Sequence, residues 1–165
     1  MALLIGFSGQ GSQYPEMFEK LKNHHEGRQW LQEASDILHL NLLDQHIIEQ
    51  NLFDTIYAQI FIVLHSVGVF RLIEKKISDV YLCGYSLGEV SAFCASAELS
   101  ISELITMVKE RAFFMQEASE KTGLGGLVAL KGHITQDILK KLIQQFQCYL
   151  AIYNAEDHFI VVGLK

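Results

Sequence analysis

Apolar positions along the chain fall into two kinds of pattern. Residues 2–7 form an unbroken apolar run that stops at Ser8-Gly9-Gln10-Gly11-Ser12-Gln13. A run of that length, closed by a glycine-rich polar stretch, predicts a strand buried on both faces that ends in a tight loop. Asp79-Val80-Tyr81-Leu82-Cys83 predicts a second buried strand. The turn Gly84-Tyr85-Ser86-Leu87-Gly88 follows it, and then a small-residue helix to about Ala97. Between the two strands, residues 16–50 read as short helices rich in charge and amide. Residues 53–76 read as one long helix, with Leu64, Val67, Gly68 and Phe70 among its buried positions. Ser100 and Glu103 form a capping-box pair. Ile101, Leu104, Ile105, Val108, Ala112 and Met115 then recur at helical spacing, which predicts a helix to about Ser119.

The character changes after Lys121. Gly123-Leu124-Gly125-Gly126 leads into a strand at 127–131, a helix at about 136–147, and strands at 148–153 and 159–164 around a polar turn at 154–158. The expected class is therefore α/β. Residues 1–121 form a core of alternating strands and helices. Residues 122–165 form a β-α-β-β string with three of the four strands of a split β-α-β unit.

Composition narrows the function classes. Thirteen basic residues against nineteen acidic ones give a net charge of -6, which argues against nucleic acid or anionic membrane as partner. Half the residues are hydrophobic and 19% are charged, so the chain can bury a core and is not a disordered segment. Cys83, Cys94 and Cys148 make no C-x-x-C pair and have no zinc spacing, so reduced thiols and no metal are expected. The N-terminus lacks the basic region of a signal peptide. The longest stretch without a formal charge, 55–70, is 16 residues and falls short of the ~20 that a membrane span needs. A soluble, cytoplasmic protein is the expectation.

Three features could carry chemistry. Gly84-x-Ser86-x-Gly88 has the form of a nucleophile elbow, in which glycines two residues either side of a serine permit a sharp strand-to-helix turn. By chance a chain of this length carries that motif about one time in twenty, so its weight comes from the strand before it and the helix after it. Gly9-Gln10-Gly11 lacks the third glycine of a dinucleotide loop, because Tyr14 stands there. Beside Ser86, that loop could instead offer an N–H group to an oxyanion. Arg111 projects from the same stripe as Leu104, Val108 and Met115, where a guanidinium needs a partner. It is a structural ion pair, a snorkelling arginine, or a bidentate clamp for a substrate carboxylate. None of the seven histidines follows a strand end in the α/β part, and each reads as structural.

With these residues in view the chain resembles the malonyl-CoA:acyl-carrier-protein transacylase family. The landmarks are Gly9-Gln10-Gly11-Ser12-Gln13, Thr55 with Ala58-Gln59, Gly84-Tyr85-Ser86-Leu87-Gly88-Glu89, Arg111 with Met115-Gln116, and Asn154 with Ile160-Val161-Val162-Gly163. The resemblance implies an α/β-hydrolase-like acyltransferase core with the start of an inserted ferredoxin-like subdomain. Ser86 would be the acyl-accepting nucleophile, and Gln10 and Leu87 would supply oxyanion N–H groups. Arg111 would pair with the malonyl carboxylate, and Gln59, Tyr85 and Asn154 would line the substrate site. Malonyl-CoA would be the substrate, with no bound cofactor, and an acyl carrier protein the partner. Lys75-Lys76 and Lys140-Lys141 are candidate docking patches for that acidic carrier.

Departures from the family pattern refine the expectation. The family's usual histidine before the nucleophile is Tyr85 here, and the usual proline before Gly-Gln-Gly is Ser8. These, with Asp157-His158-Phe159, look more like the malonyltransferase (epsilon) subunit of malonate decarboxylase, which works with other subunits of its complex. The family's catalytic histidine lies further from the serine than the 79 residues that follow Ser86 here. The expectation is an N-terminal portion of a longer enzyme, a truncated gene product, or half of a split one. The alternatives are a serine hydrolase or thioesterase using the same elbow, and a non-catalytic remnant.

Overall fold

The computed structural model describes residues 2–122 and 125–164. Gly123 and Leu124, part of the expected lead into the third strand, lie outside the described residues. The chain divides into two compact units, Met1–Phe113 and Phe114–Lys165.

In the first unit, β1 (Leu3–Phe7) and β2 (Val80–Gly84) pair in parallel, in register from Leu3 opposite Val80 to Phe7 opposite Gly84. Four helices connect them: α1 (Glu19–Lys22), α2 (His25–Leu38), α3 (Gln45–Asn51) and α4 (Thr55–Ile73), the last followed by a 3₁₀ turn at Glu74–Lys76. A helix that is apolar on every side must be buried on every side, and α4 runs through the core. Residues from Ala58 to Leu64, then Val67, Gly68 and Phe70, are all buried. Asp54 starts the helix by accepting hydrogen bonds from the N–H groups of Ile56 (2.9 Å) and Tyr57 (3.0 Å). Trp30 lies against its middle, its Nε1 donating to the Leu64 carbonyl at 3.0 Å. The uncharged stretch understates this helix. With its 3₁₀ end, the Thr55–Lys76 segment is long and apolar enough to cross a membrane by length and composition, and in this fold it is the core helix.

The two strands are not buried on both faces as expected. Leu4 and Tyr81 stand opposite each other and each is 67% exposed. Among the described residues this sheet has two strands. Phe7 belongs to the helix-packed core, and Ile5 and Leu82 pack against it. The alternate positions point to the opposite face, since strand side chains alternate between faces, and that face is exposed at Leu4 and Tyr81.

β2 leads through the elbow into α5 (Leu87–Ser96) and then α6 (Ile101–Thr122). The capping box forms as expected: the Ser100 N–H donates to Glu103 Oε2 at 2.9 Å and the Glu103 N–H to Ser100 Oγ at 3.3 Å. Ile101, Leu104, Ile105, Val108 and Ala112 are buried. Met115 is not; it is 44% exposed, since the buried stripe stops at Ala112 where the first unit ends.

The second unit holds β3 (Gly125–Lys131), α7 (Gln136–Gln145), β4 (Tyr149–Ala155) and β5 (His158–Leu164). The sheet order is β3-β5-β4 with both pairings antiparallel. The strands joined through the helix therefore run the same way with the third between them, which is the split β-α-β arrangement. Leu139, Phe159 and Val161 form its buried core. The expected polar turn at 154–158 is shorter: Ala155 pairs with His158, leaving Glu156 and Asp157 as the turn and placing Asn154 inside β4.

Candidate active site

The parallel register brings the C-terminal ends of β1 and β2 side by side, so the loop after Phe7 and the elbow after Gly84 emerge together. Two glycines make the elbow possible. A Cβ on Gly84 would lie 2.1 Å from the Gly88 carbonyl carbon, and one on Gly88 would lie 2.2 Å from the Phe7 carbonyl oxygen. Gly9 approaches the same turn, its Cβ position being 3.3 Å from the Tyr85 carbonyl oxygen. Strand end, loop and first helical turn thus touch through backbone alone.

Ser86 sits at the apex with φ 54° and ψ -114°, a conformation that favours glycine. The turn closes through Gly88 N–H to Tyr85 carbonyl at 2.9 Å and Glu89 N–H to Ser86 carbonyl at 3.1 Å. Its side chain is exposed at the N-terminal end of α5, where the helix dipole favours developing negative charge. Tyr85 is 52% exposed beside it.

The loop of residues 8–13 is held by its own polar groups. Ser12 Oγ contacts Ser8 Oγ at 3.0 Å and donates to the Gly9 carbonyl at 2.8 Å, and the Gly11 N–H donates to Gln13 Oε1 at 2.9 Å. Among the described residues the backbone N–H groups of Gln10 and Leu87 make no hydrogen bond. Gln10 lies on the loop after β1, and Leu87 opens α5 directly after the elbow.

Arg111 is half-buried, and its guanidinium joins two predicted site residues. Nη1 donates to Gln59 Oε1, and Nη2 donates to Ser86 Oγ at 3.4 Å. Gln59 is fully buried in α4, a polar residue within a buried apolar run. Among the described residues no carboxylate pairs with Arg111, so the structural ion pair weighed for it does not form. Asn154 belongs to β4 in the second unit.

Two placements bear on the remaining expectations. Arg71 lies twelve residues beyond Gln59 on α4, about 18 Å along the axis at 1.5 Å per residue. Lys75 and Lys76 lie further on still, in the 3₁₀ turn, so that patch does not adjoin Ser86. His65, read from sequence as a helix residue, has a buried Nε2 with no hydrogen-bond partner and faces the rings of Tyr14 and Phe18. Burial, and then the nearby charge of Lys20, hold its pKa below the usual 6.5. No histidine hydrogen-bonds Ser86 among the described residues.

No family model matches the chain. It is 27% identical over 168 residues to a malonyl CoA-acyl carrier protein transacylase of Bacillus subtilis, an alignment that covers 95% of this chain and 41% of the relative. Among solved structures it superposes on the malonyl CoA-acyl carrier protein transacylase of Clostridium perfringens with a TM-score of 0.83. The two are 27% identical, and the match covers 99% of this chain and 54% of that one. A malonyl-transacylase solved in complex with its type II polyketide-synthase acyl-carrier protein gives TM-score 0.83, 28% identity, and coverage of 100% and 56%. The chain spans less than half the length of that relative and just over half the length of these structures. Relatives and solved structures alike support the resemblance to the malonyl-CoA:acyl carrier protein transacylases, which are acyltransferase enzymes.

Proposed function

We propose that this chain carries the acyl-serine site of an S-malonyltransferase that moves malonyl from CoA to the thiol of an acyl carrier protein. The observation that carries the reading is the Arg111 guanidinium, held beside Ser86 by Gln59 and, among the described residues, paired with no carboxylate. A buried or half-buried cation without a counter-charge is costly, and a malonyl carboxylate is the anion that would relieve it next to the nucleophile. An acetyl group offers none.

In the proposed reaction, Ser86 Oγ attacks the thioester carbonyl and the oxyanion is received by the N–H groups of Gln10 and Leu87. The C–S bond then breaks, and CoA leaves as a thiol with the proton given up by the serine. A second thiol, on the carrier protein, attacks the malonyl ester in the reverse sense and returns the proton to Ser86. No resident cofactor is needed, and a cytoplasmic setting belongs to the same proposal. Tyr85, half-exposed beside the nucleophile, and Asn154 are assigned to the substrate by the same resemblance. Within the family, Ser8, Tyr85 and Asp157-His158-Phe159 favour the malonyltransferase subunit of malonate decarboxylase.

The α/β-hydrolase-like identity of the first unit and the ferredoxin-like identity of the second are part of this proposal. The parallel β1–β2 pair with its elbow supports the one, and the β3-β5-β4 order supports the other. The test is intact-mass spectrometry of the chain after incubation with malonyl-CoA, beside acetyl-CoA and a Ser86→Ala control. A malonyl adduct that disappears in the control supports the reading. Equal acylation from both thioesters would favour the hydrolase alternative. No adduct on folded protein would mean that the chain does not acylate unaided.

A further inference from the structure

A second half-buried arginine stands near the far end of α4. Arg71 Nη2 donates to the Leu99 carbonyl at 2.7 Å, and its guanidinium lies 5.1 Å from the centre of the Trp30 ring. Both partners are neutral. Arg71 and Trp30 border a cavity of about 330 Å³ between the start of α2 and the end of α4. Lys75 and Lys76, in the 3₁₀ turn, line it as well, together with Glu26 and Glu74. Among the described residues none of these three cations forms an ion pair with a carboxylate. Like charges gathered in one hollow repel each other, and here they gather in a chain whose net charge is -6. Cations at the end of a helix offset its dipole, which accounts for their place in the sequence. It does not account for a walled hollow between them and a fixed indole, whose Nε1 donates to the Leu64 carbonyl at 3.0 Å.

We propose that this cavity binds a small sugar phosphate, with Arg71, Lys75 and Lys76 receiving the phosphate and Glu26 and Glu74 accepting from the sugar hydroxyls. A phosphate dianion answers several cations at once, and a guanidinium fork matches its oxygens. Arg71 is already ordered by the Leu99 carbonyl and the indole, so the ligand does not have to order it. Trp30 offers an apolar wall to the carbon face of a sugar. The volume is at the small end for ligand pockets, about 300–1,000 Å³, which favours a small molecule over a protein surface. Arg71 lies twelve residues beyond Gln59 on α4, so this site is separate from the one at Ser86 and does not depend on the malonyl-transfer reading.

Trp30 is the single tryptophan of the chain, so intrinsic fluorescence reports on this cavity directly. The probes are ribose 5-phosphate and, without the phosphate, ribose. Each is titrated into the full chain and into the double variant Lys75→Gln with Lys76→Gln, and ligand-observed NMR supplies a second readout that does not require the indole to respond. Both lysines are exposed, so the variant should fold, and circular dichroism checks that it does. Ribose 5-phosphate should bind saturably and at least tenfold more tightly than ribose, and the double variant should weaken it about tenfold, the scale of lost charge-assisted contacts. Absence of binding by both readouts overturns the proposal, as does equal binding of ribose or an unchanged affinity in the variant. An acyl carrier protein that shifts the Trp30 signal through the same lysines, where ribose 5-phosphate does not, would assign the cations to a protein surface and also overturn it.

Discussion

The backbone of Gly88 occupies the side-chain space of Gly84: a Cβ on Gly84 would sit 2.1 Å from both the carbonyl carbon and oxygen of Gly88. Gly88 in turn would press its own Cβ onto the Phe7 carbonyl oxygen at 2.2 Å. The obstructing atoms are backbone, which cannot swing aside as a side chain can. Gly84→Ala and Gly88→Ala should each cost about 3 kcal/mol or more, at the upper end for overpacking. Gly11→Ala is the control. Its φ is +100° but nothing lies within 4 Å, so only the backbone conformation resists, at about 1–2 kcal/mol. Urea denaturation of the three variants checks the order.

Ser86 holds a left-handed φ of 54° that glycine adopts without strain. Such a residue costs on the order of 1–3 kcal/mol. Ser86→Gly should therefore raise stability by about 1 kcal/mol while abolishing any acylation at this position, whereas Ser86→Ala should lose the acylation without the gain. Thermal melting of the two variants side by side separates them, and a Ser86→Gly protein no more stable than Ser86→Ala would contradict the strain.

Acid should destabilise the first unit in two stages. His65 has its folded pKa depressed, mainly by burial, so the unfolded chain takes up its proton first. The contribution is present above the usual 6.5 and is lost as pH falls below it. Glu103 is also depressed, by its hydrogen bonds with Ser100, and its contribution is lost only as pH falls below 4.5. Melting temperature against pH should show a slope that begins as pH falls below 6.5 and that His65→Phe removes, and a second slope below 4.5 that Glu103→Gln reduces.

Thiol reactivity should follow exposure. Cys83 is exposed in β2, whereas Cys94 is fully buried in α5 and burial pushes its thiol up to about 11. Since the thiolate is the nucleophile, iodoacetamide at neutral pH should alkylate Cys83 and spare Cys94 until the protein is unfolded in urea. Peptide mapping reads this directly, and labelling of Cys94 in folded protein would contradict the burial.

Much of this architecture was legible before any coordinates. The elbow followed from two glycines spaced about a serine, and the start of α6 from Ser100 and Glu103, because short-range sterics and capping leave few alternatives. The split β-α-β unit followed from the β-α-β-β string set between the glycines before residue 127 and the polar turn expected at 154–158, which the structure shortens to Glu156-Asp157. The cover over the strands was less legible. Leu4 and Tyr81 are apolar, and composition alone does not say how many elements will pack on a given face. Arg111 announced itself as a cation on an apolar stripe, but its partner did not. Gln59 entered through resemblance alone, although an amide inside the apolar stretch of α4 was the physical signal. His65 passed as an ordinary helix residue because its unpartnered nitrogen depends on Tyr14 and Phe18, which come from other parts of the fold.

The capping box at Ser100 and Glu103 has a consequence three turns downstream. It pins where α6 begins, and each residue of an α-helix advances the rotation by about 100°. The angular phase of Arg111 toward Ser86 is thus counted off from a start point eleven residues away. One residue inserted between them would leave the helix, its cap and its composition intact, yet turn the guanidinium about a quarter of the way round the barrel of the helix. The length of this stretch is as much a part of the site as the arginine at its end.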